Sequence, residues 1–299
     1  MNKPFLTVII PTFNRSSCLE ICLKRLFSQS LSKESYEIIV VNDGSTDDTE
    51  TVLKKFEKEE IFLHLHQKNS GQGNARNLAI KNAKGQVILF IGDDIYAEED
   101  FLKNHVDFHM ENPEINIACL GRIEWFPENE ITPFMDWLTN GGPQFAYNKL
   151  KDSGEADFWY FYTSNISLKK ELLKNDSFDP DFKSYGWEDI ELAYRLKNKF
   201  NLKIIYKSKI LAYHDHQISE DSLKKRMISI GKSAKIFEKK AQGMNVIPKG
   251  LKLLILTLIS NPISISILWV FQKILPPLFQ KYYWYALSKR YFIIGLKNV

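Results

Sequence analysis

After Glu238 the chain contains no aspartate or glutamate, while Lys239, Lys240, Lys249, Lys252, Lys273, Lys281, Lys289, Arg290 and Lys297 supply nine positive charges. With those nine set aside, 31 Lys and Arg stand against 36 Asp and Glu, so residues 1–238 carry about −5 although the whole chain is +4. The two parts therefore face different partners. Cysteine is scarce: Cys18, Cys22 and Cys119 make an odd count without metal-ligand spacing, which excludes a disulfide scaffold. Cys18 and Cys22, four apart on a helical stretch, read as small core residues in a reducing compartment. No Gly-rich loop closed by Lys-Ser/Thr and no Gly-x-Ser-x-Gly elbow occurs, which removes support for kinase and hydrolase chemistry. Gly71-Gln72-Gly73-Asn74-Ala75-Arg76 lacks the third glycine of a dinucleotide fingerprint, so an oxidoreductase is disfavoured. Repeats and low-complexity tracts are absent. Residues 253–271 are uncharged for 19 residues, nominally span length, but Asn261-Pro262 splits the run and serines dilute it.

What is present reads as alternating strand and helix. Phe5–Ile10 is β-rich and closes in Pro11-Thr12-Phe13-Asn14; residues 16–28 then carry a helical stripe of Leu19, Cys22, Leu23, Leu26 and Phe27. Tyr36–Val41 is the second strand, ending in Asn42-Asp43-Gly44-Ser45-Thr46-Asp47-Asp48. Thr46 or Asp47 is expected to cap a helix carrying Val52, Leu53 and Phe56. Ile61–His66 reads as a strand, Gln72–Lys84 as a helix, and the five apolar residues Val87–Ile91, bounded by Gly85 and Gly92, as a buried strand. Ile117–Trp125, Leu202–Tyr206 and Ile210–His214 are further strands, Trp159–Leu168 is β-prone, Gly141-Gly142-Pro143 marks a loop, and a helix opens at Gly186-Trp187-Glu188-Asp189. The alternation predicts a parallel sheet with helices on both faces. Ligands of such sheets lie beyond the carboxyl ends of the strands, where this chain places Thr12, Asp43 and Asp93-Asp94.

Each of these positions has a chemical reading and a structural one. Asp93-Asp94 suits a Mg2+ or Mn2+ ion held against a diphosphate, or else a turn before a helix near Glu98. Asp43 can accept from a uracil-like N–H or a ribose hydroxyl, or form an Asx-turn; Gly44 lets the backbone approach a ligand. Arg76 can pair with Asp93 or with phosphate oxygens. Asp189, at a helix start that favours an ionised carboxylate, can act as a general base or simply cap the helix. In His214-Asp215-His216 the two imidazoles share a strand face and can complete the coordination begun by Asp94, or remain surface histidines.

Taken in order, Thr7–Arg15, Val40–Asp47, Gly71–Asn77, Asp93-Asp94, Asn165–Lys169, Phe178–Phe182, Gly186–Asp189 and His214–His216 resemble a family 2 glycosyltransferase of GT-A type. The Gly-Trp-Glu-Asp and His-x-His portion is also similar to the C-terminal half of β-1,4-galactosyltransferase-like enzymes. The resemblance spans roughly residues 5–216. It implies an α/β GT-A fold with a mixed, mainly parallel sheet, a nucleotide-sugar donor that is often UDP-linked, inversion at the anomeric carbon, and Mn2+ or Mg2+ as cofactor. It assigns Pro11, Thr12 and Asp43 to the nucleoside, with Phe13, Asn14 and Gly44 beside them in the donor site. Asp93 would touch the ribose or Arg76, Asp94 with His214 and His216 would hold the metal, Asp189 would be the base, and Glu188 would orient the acceptor. Asn42 departs from relatives that carry an aspartate there, and the Gln-x-x-Arg-Trp motif of processive synthases is missing, which favours transfer of a single sugar. The alternative is a sugar-nucleotide-binding or scaffold protein that retains the fold without turnover.

The expected organisation is a catalytic domain over residues 1–218 and a basic, apolar helical tail over 219–299. Aromatics interleaved with lysine (Tyr282, Tyr283, Trp284, Tyr291, Phe292) suit a helix pair at an anionic membrane surface. The N-terminus enters a strand directly, so no signal peptide is expected and the active part should face the cytosol, peripheral on the inner face of the membrane. The expected acceptor is a glycan or lipid-linked hydroxyl, and no nucleic-acid partner is expected.

Overall fold

The computed structural model describes residues 3–140 and 142–297, apart from the Pro277 side chain. Gly141 of the expected loop lies outside the described residues, as do the first two and last two positions. The described chain divides into two compact units: one of residues 1–130, 147–183 and 189–216, the other of 131–146, 184–188 and 217–299.

The first unit opens with β1 (Leu6–Thr12), α1 (Ser16–Phe27), β2 (Tyr36–Asn42), α2 (Thr49–Lys54), β3 (Phe62–His66), α3 (Gln72–Asn82) and β4 (Val87–Ile91). All residues of β2 and β4 are buried, as a strand covered by helices on both faces must be. The helix α2 is shorter than its apolar pattern suggests. Phe56 lies in the turn after it, where its ring stacks on Phe27 at 5.2 Å. The strands β3, β2, β1 and β4 pair in parallel, with Thr12 opposite Asn42 and Ile9 opposite both Ile39 and Phe90. The chain thus leaves β1 and β2 at one level, beside the end of β4.

Beyond β4 the sheet becomes antiparallel in part. The chain continues through β5 (Ile95–Ala97), α4 (Phe101–Glu111) and β6 (Ile117–Trp125). In the second unit it forms α5 (Pro133–Thr139), then returns as β7 (Glu155–Ala156), β8 (Asn165–Lys169), α6 (Glu188–Phe200) and β9 (Lys203–His214). The described strands follow the order β3-β2-β1-β4-β8-β6-β9-β5, with β7 on β9. Both β4 and β6 pair with β8 antiparallel, whereas β6 and β9 are parallel, so the sheet is mixed and only its first half is uniformly parallel. Two expected strands fuse: β9 runs unbroken through Lys207, which pairs with Gly121, and the next three residues, Ser208-Lys209-Ile210, are absorbed by a bulge before Leu211 pairs with Arg122. Of the β-prone stretch 159–168 only the end joins the sheet, because residues 158–160 wind into a 3-10 turn in which Phe158 packs on Trp159, while Tyr160 packs on Tyr162.

The short strand β5 positions the site. Asp93 and Asp94 turn directly into it rather than into a helix, and β5 pairs antiparallel with the end of β9, Ile95 opposite His214. The Asp215 N–H donates to the Asp94 carbonyl at 2.9 Å, which stitches the acidic turn to the two histidines.

The second unit holds α7 (Glu220–Lys240), α8 (Gly250–Ile259), α9 (Pro262–Ile274) and α10 (Pro276–Lys297). Ser219 caps α7 and Asn261 caps α9, so the Asn261-Pro262 break expected from the sequence is a helix start. The helices α7 and α10 cross where Gly231 meets Gly295, and a Cβ on Gly295 would fall 2.3 Å from the Ile228 carbonyl oxygen. Trp284 of α10 donates to Glu220 at 2.7 Å. By contrast α8 and α9 turn Leu251, Leu254, Leu258, Ile263, Ile267 and Ile274 outward. Among the described residues no single helix is long and apolar enough to cross a membrane; α8 and α9 together reach that length with a 50° bend.

Candidate active site

The loops after β1 and β2 are locked to each other. Asn14 adopts a positive φ of 52°, its side-chain oxygen accepts from Thr46 N–H at 2.7 Å, and its own N–H donates to Ser45 Oγ at 2.9 Å. Asp47 accepts from Ser16 N–H and from both the N–H and the hydroxyl of Thr49; the cap position of α2 is Asp48, one residue beyond the expected Thr46 or Asp47. Phe13 stays exposed. Asp43 is buried, and its carboxylate holds the 67–71 loop: Oδ1 accepts from Gln67 at 2.7 Å and from Ser70 N–H at 2.8 Å, Oδ2 from Gly71 N–H at 2.9 Å. Each carboxylate oxygen accepts about two hydrogen bonds, so Oδ2 retains one free direction for a ligand. Gly44 has φ 81°, and a Cβ there would lie 2.8 Å from the Asn69 nitrogen. The position tolerates only glycine.

At the end of β4, Thr12 donates to Asp93 Oδ2 at 2.8 Å. Asp94 Oδ2 receives three groups: the Arg15 guanidinium in a short contact, His214 Nε2 at 3.1 Å and His216 Nδ1 at 3.5 Å. Arg15 also approaches Asp93 at 3.7 Å and donates to His216 Nδ1 at 2.9 Å. Since guanidinium can only donate, His216 presents a lone pair at Nδ1. The two imidazoles stack at 5.5 Å, and Trp125 stacks on His214 at 5.3 Å. Asp215, between them, is tied down by Tyr96 and Asn129.

Burial and the adjacent Asp94 push the Asp93 carboxyl up to about 7. Burial acts in the same direction on Asp94, but His214, His216 and Arg15 outweigh it and hold this carboxyl well below the usual range. One carboxylate of the pair is thereby kept charged for a cation. Asp94, His214 and His216 bring one oxygen and two nitrogen atoms within 4.8 Å of one another, a set that fits a divalent metal.

The arginine that pairs with the acidic residues is Arg15; of the two partners expected for Arg76, Asp93 or phosphate oxygens, Asp93 is instead met by Arg15 and Thr12. Arg76, one turn into α3, is buried over the Phe178 ring at 5.4 Å and donates to Gln72. Arg15 stood in the first motif without a role; the signal for it was its position directly after the Asn14 turn, where the chain doubles back across the sheet end. Asp189 sits in the first turn of α6, its carboxylate accepting from Ile190 N–H at 2.8 Å. Glu188 is buried and accepts from Gly186 N–H at 3.1 Å, bracing the positive-φ pair Gly186 and Trp187.

Comparison with known proteins agrees with this arrangement. The family model described as glycosyl transferase family 2 matches residues 7–179. A dolichyl N-acetyl-alpha-D-glucosaminyl phosphate 3-beta-D-2,3-diacetamido-2,3-dideoxy-beta-D-glucuronosyltransferase of Methanococcus voltae is 32% identical over 189 residues, covering 60% of this chain and 57% of that protein. A poly(ribitol-phosphate) beta-glucosyltransferase of Bacillus spizizenii is 38% identical over 148 residues, 48% of this chain and 23% of its own. The chain spans about half the length of the first curated relatives it matches. Among solved structures, a mannosyltransferase of Pyrobaculum calidifontis in complex with GDP-Man and Mn2+ superposes with a TM-score of 0.68 at 18% identity, covering 98% of this chain and 86% of that one. S. aureus TarS 1-349 in complex with UDP-GlcNAc gives 0.58 at 19% identity, covering 97% and 89%. Carried by the strand ends that bring Thr12, Asp43 and Asp93-Asp94 together, the match over residues 7–179 makes this chain a member of glycosyl transferase family 2.

Proposed function

We propose that the protein moves a single sugar from a nucleotide-sugar donor, UDP-linked, to a hydroxyl of a glycan or lipid-linked acceptor, with inversion at the anomeric carbon, in cell-surface polysaccharide synthesis. The observation that carries this reading is the convergence of Asp94, His214 and His216 on one point beside Asp93, at the sheet end where Asp43 also lies. The names of the relatives, glycosyltransferases acting on glycan and lipid-linked acceptors, point the same way.

Asp94 Oδ2, His214 Nε2 and His216 Nδ1 would hold the metal. When bound, a divalent cation supplies positive charge against the diphosphate leaving group. Two imidazoles in the set favour Mn2+ over Mg2+, which prefers oxygen ligands in an octahedron. Metal binding requires His214 Nε2 to give up any proton it shares with Asp94. Arg15 occupies two of these atoms, Asp94 Oδ2 and His216 Nδ1, and would act on the diphosphate as a second cation. Asp43, Pro11, Thr12 and their neighbours Phe13, Asn14 and Gly44 form the nucleoside side of the site. Asp189 takes the proton of the acceptor hydroxyl, with Glu188 of the same motif orienting the acceptor.

The basic helical tail, residues 219–299, is read as the element that brings this chemistry to the cytosolic face of an anionic membrane. Its support is the nine cations without an acid after Glu238 and the outward apolar side chains of α8 and α9. Each lysine near such a surface contributes ~1 kcal/mol, so several suffice without a span.

Incubating the full chain with a panel of nucleotide sugars, with and without Mn2+, and measuring nucleotide release tests the activity. Metal-dependent release with one donor is expected; none with any donor would favour a non-catalytic role. Asp189→Asn should lower transfer by about 10²–10⁴ while donor affinity stays near that of the parent, since an amide keeps the shape but cannot take a proton. Full transfer by this variant would remove Asp189 as the base.

A further inference from the structure

A second group of metal-type ligands lies at the edge of the sheet, on residues that the transfer reaction does not use. In β3, the edge strand, side chains alternate, so Phe62, His64 and His66 share one face. Phe62 packs there between Phe27 at the end of α1 and Phe56 of the turn after α2. From α2, Glu50 reaches His66, its Oε2 lying 3.2 Å from His66 Nε2. His64 Nδ1 lies 3.1 Å from the same His66 Nε2. On its far side, His64 Nε2 meets Glu57 Oε1 at 3.0 Å.

The hydrogen-bond arithmetic of this cluster does not close with protons on neutral rings. Carboxylate Glu57 can only accept, so neutral His64 carries its proton at Nε2 and presents a bare lone pair at Nδ1. His66 Nε2 then faces two acceptors, His64 Nδ1 and Glu50 Oε2, and one N–H cannot serve both. A cation can. Bonds of about 2.0–2.1 Å in a tetrahedron place neighbouring ligand atoms about 3.3 Å apart, close to the 3.1 and 3.2 Å found here. The three donor atoms lie within 4.8 Å of one another.

We propose that Glu50, His64 and His66 form a second metal site, for Zn2+ or a similar transition ion, with Glu57 orienting His64. Two imidazoles and one carboxylate select that class over Mg2+ and Ca2+. The Glu57–His64 pair is the carboxylate–histidine arrangement that fixes the tautomer and direction of a metal-ligating ring. His66 and Glu50 are partly exposed, which leaves the fourth position to water. The site ties α2 to β3 at a consequential place: His66 is in register with Asn42, and the next residue, Gln67, donates to Asp43. An ion here clips the edge strand to the loop that holds Asp43. This last step rests on the nucleoside role proposed for Asp43; the metal site itself does not.

Metal-stripped full-length protein, dialysed against Zn2+ and counted by elemental analysis, tests the site without reference to transfer. The His64→Ala/His66→Ala double variant should bind one Zn2+ fewer than the parent, and the visible absorption of tetrahedral Co2+ should disappear with it. Glu57→Gln should keep the stoichiometry but bind 10–100-fold more weakly. Equal Zn2+ content and an unchanged Co2+ spectrum in the double variant would overturn the proposal. Circular dichroism in chelator should show the double variant folded. If it is not, Glu50→Ala, which removes one ligand from a surface helix, takes its place, and undiminished Zn2+ affinity in that variant overturns the site equally.

Discussion

Asp93 and Asp94 are adjacent in sequence and alike in burial, yet only Asp94 has the two imidazoles on its Oδ2, and Arg15 lies closer to it than to Asp93. Neighbouring groups, not exposure, decide which of the two carries the charge. A second set of buried titratable groups supports the sheet from behind. His105 and His109, one turn apart on α4, bond Ser167, and His105 also bonds Asn165. Burial lowers His105 to about 4 and His109 to about 3; for His109, Lys169 and His105 add to the effect. Unfolded histidine titrates near 6.5, so between pH 6.5 and about 4 the unfolded chain binds more protons than the folded one. Stability is therefore fully present above pH 6.5 and falls as the pH drops through that window, by about 1.4 kcal/mol per pH unit for each histidine. Thermal melts from pH 7 to 4 should show this loss, and His105→Gln/His109→Gln should flatten it. An equally steep loss in the double variant would assign the acid sensitivity elsewhere.

The elements were legible to the extent that a single period ruled them. Val87–Ile91 appears with the bounds expected, because five apolar residues between glycines admit little besides a buried strand. Pairing partners were not legible. That β4 meets β8 antiparallel depends on a chain segment more than 70 residues away, and neither strand's pattern encodes it. The same limit hid the role of β5, three residues long, which joins the acidic turn to the histidines. The residue types that crowd the end of β4 could be named from the sequence, while the pairing of Asp93 and Asp94 with Arg15 rather than Arg76 could not, since it depends on the Asn14 turn. Helix packing in the second unit gives a sharper test. Replacing glycine by alanine inside a helix is ordinarily favourable by about 1 kcal/mol. At Gly295 the added Cβ would meet the Ile228 carbonyl oxygen at 2.3 Å, backbone that cannot move aside without parting α7 from α10. Overpacking of this kind costs about 1–3 kcal/mol. The clash wins. Gly295→Ala should lower the melting temperature, and a rise would show that the crossing is looser than described.

For the molecule as a whole, charge and apolar surface divide unevenly. Residues 1–238 are acidic and carry the family motifs, whereas the remainder is purely basic and turns leucine and isoleucine outward on α8 and α9. If that surface meets anionic lipid, the full chain should float with phosphatidylserine-containing liposomes at low salt, and much less with neutral ones, because screening shortens electrostatic reach to about 8 Å at physiological ionic strength. Protein left at the bottom of the gradient in both cases would make the outward face a packing surface for another protein. The proposed transfer requires above all that Asp94, His214 and His216 act with a metal to hold a nucleotide diphosphate. Calorimetric titration of UDP into the full chain, with and without Mn2+, measures this directly when repeated on Asp94→Ala. Binding is expected to strengthen at least tenfold with Mn2+ in the parent and to lose that dependence in the variant. Affinity unchanged by Mn2+ in the parent, or an equal Mn2+ effect in Asp94→Ala, would contradict it.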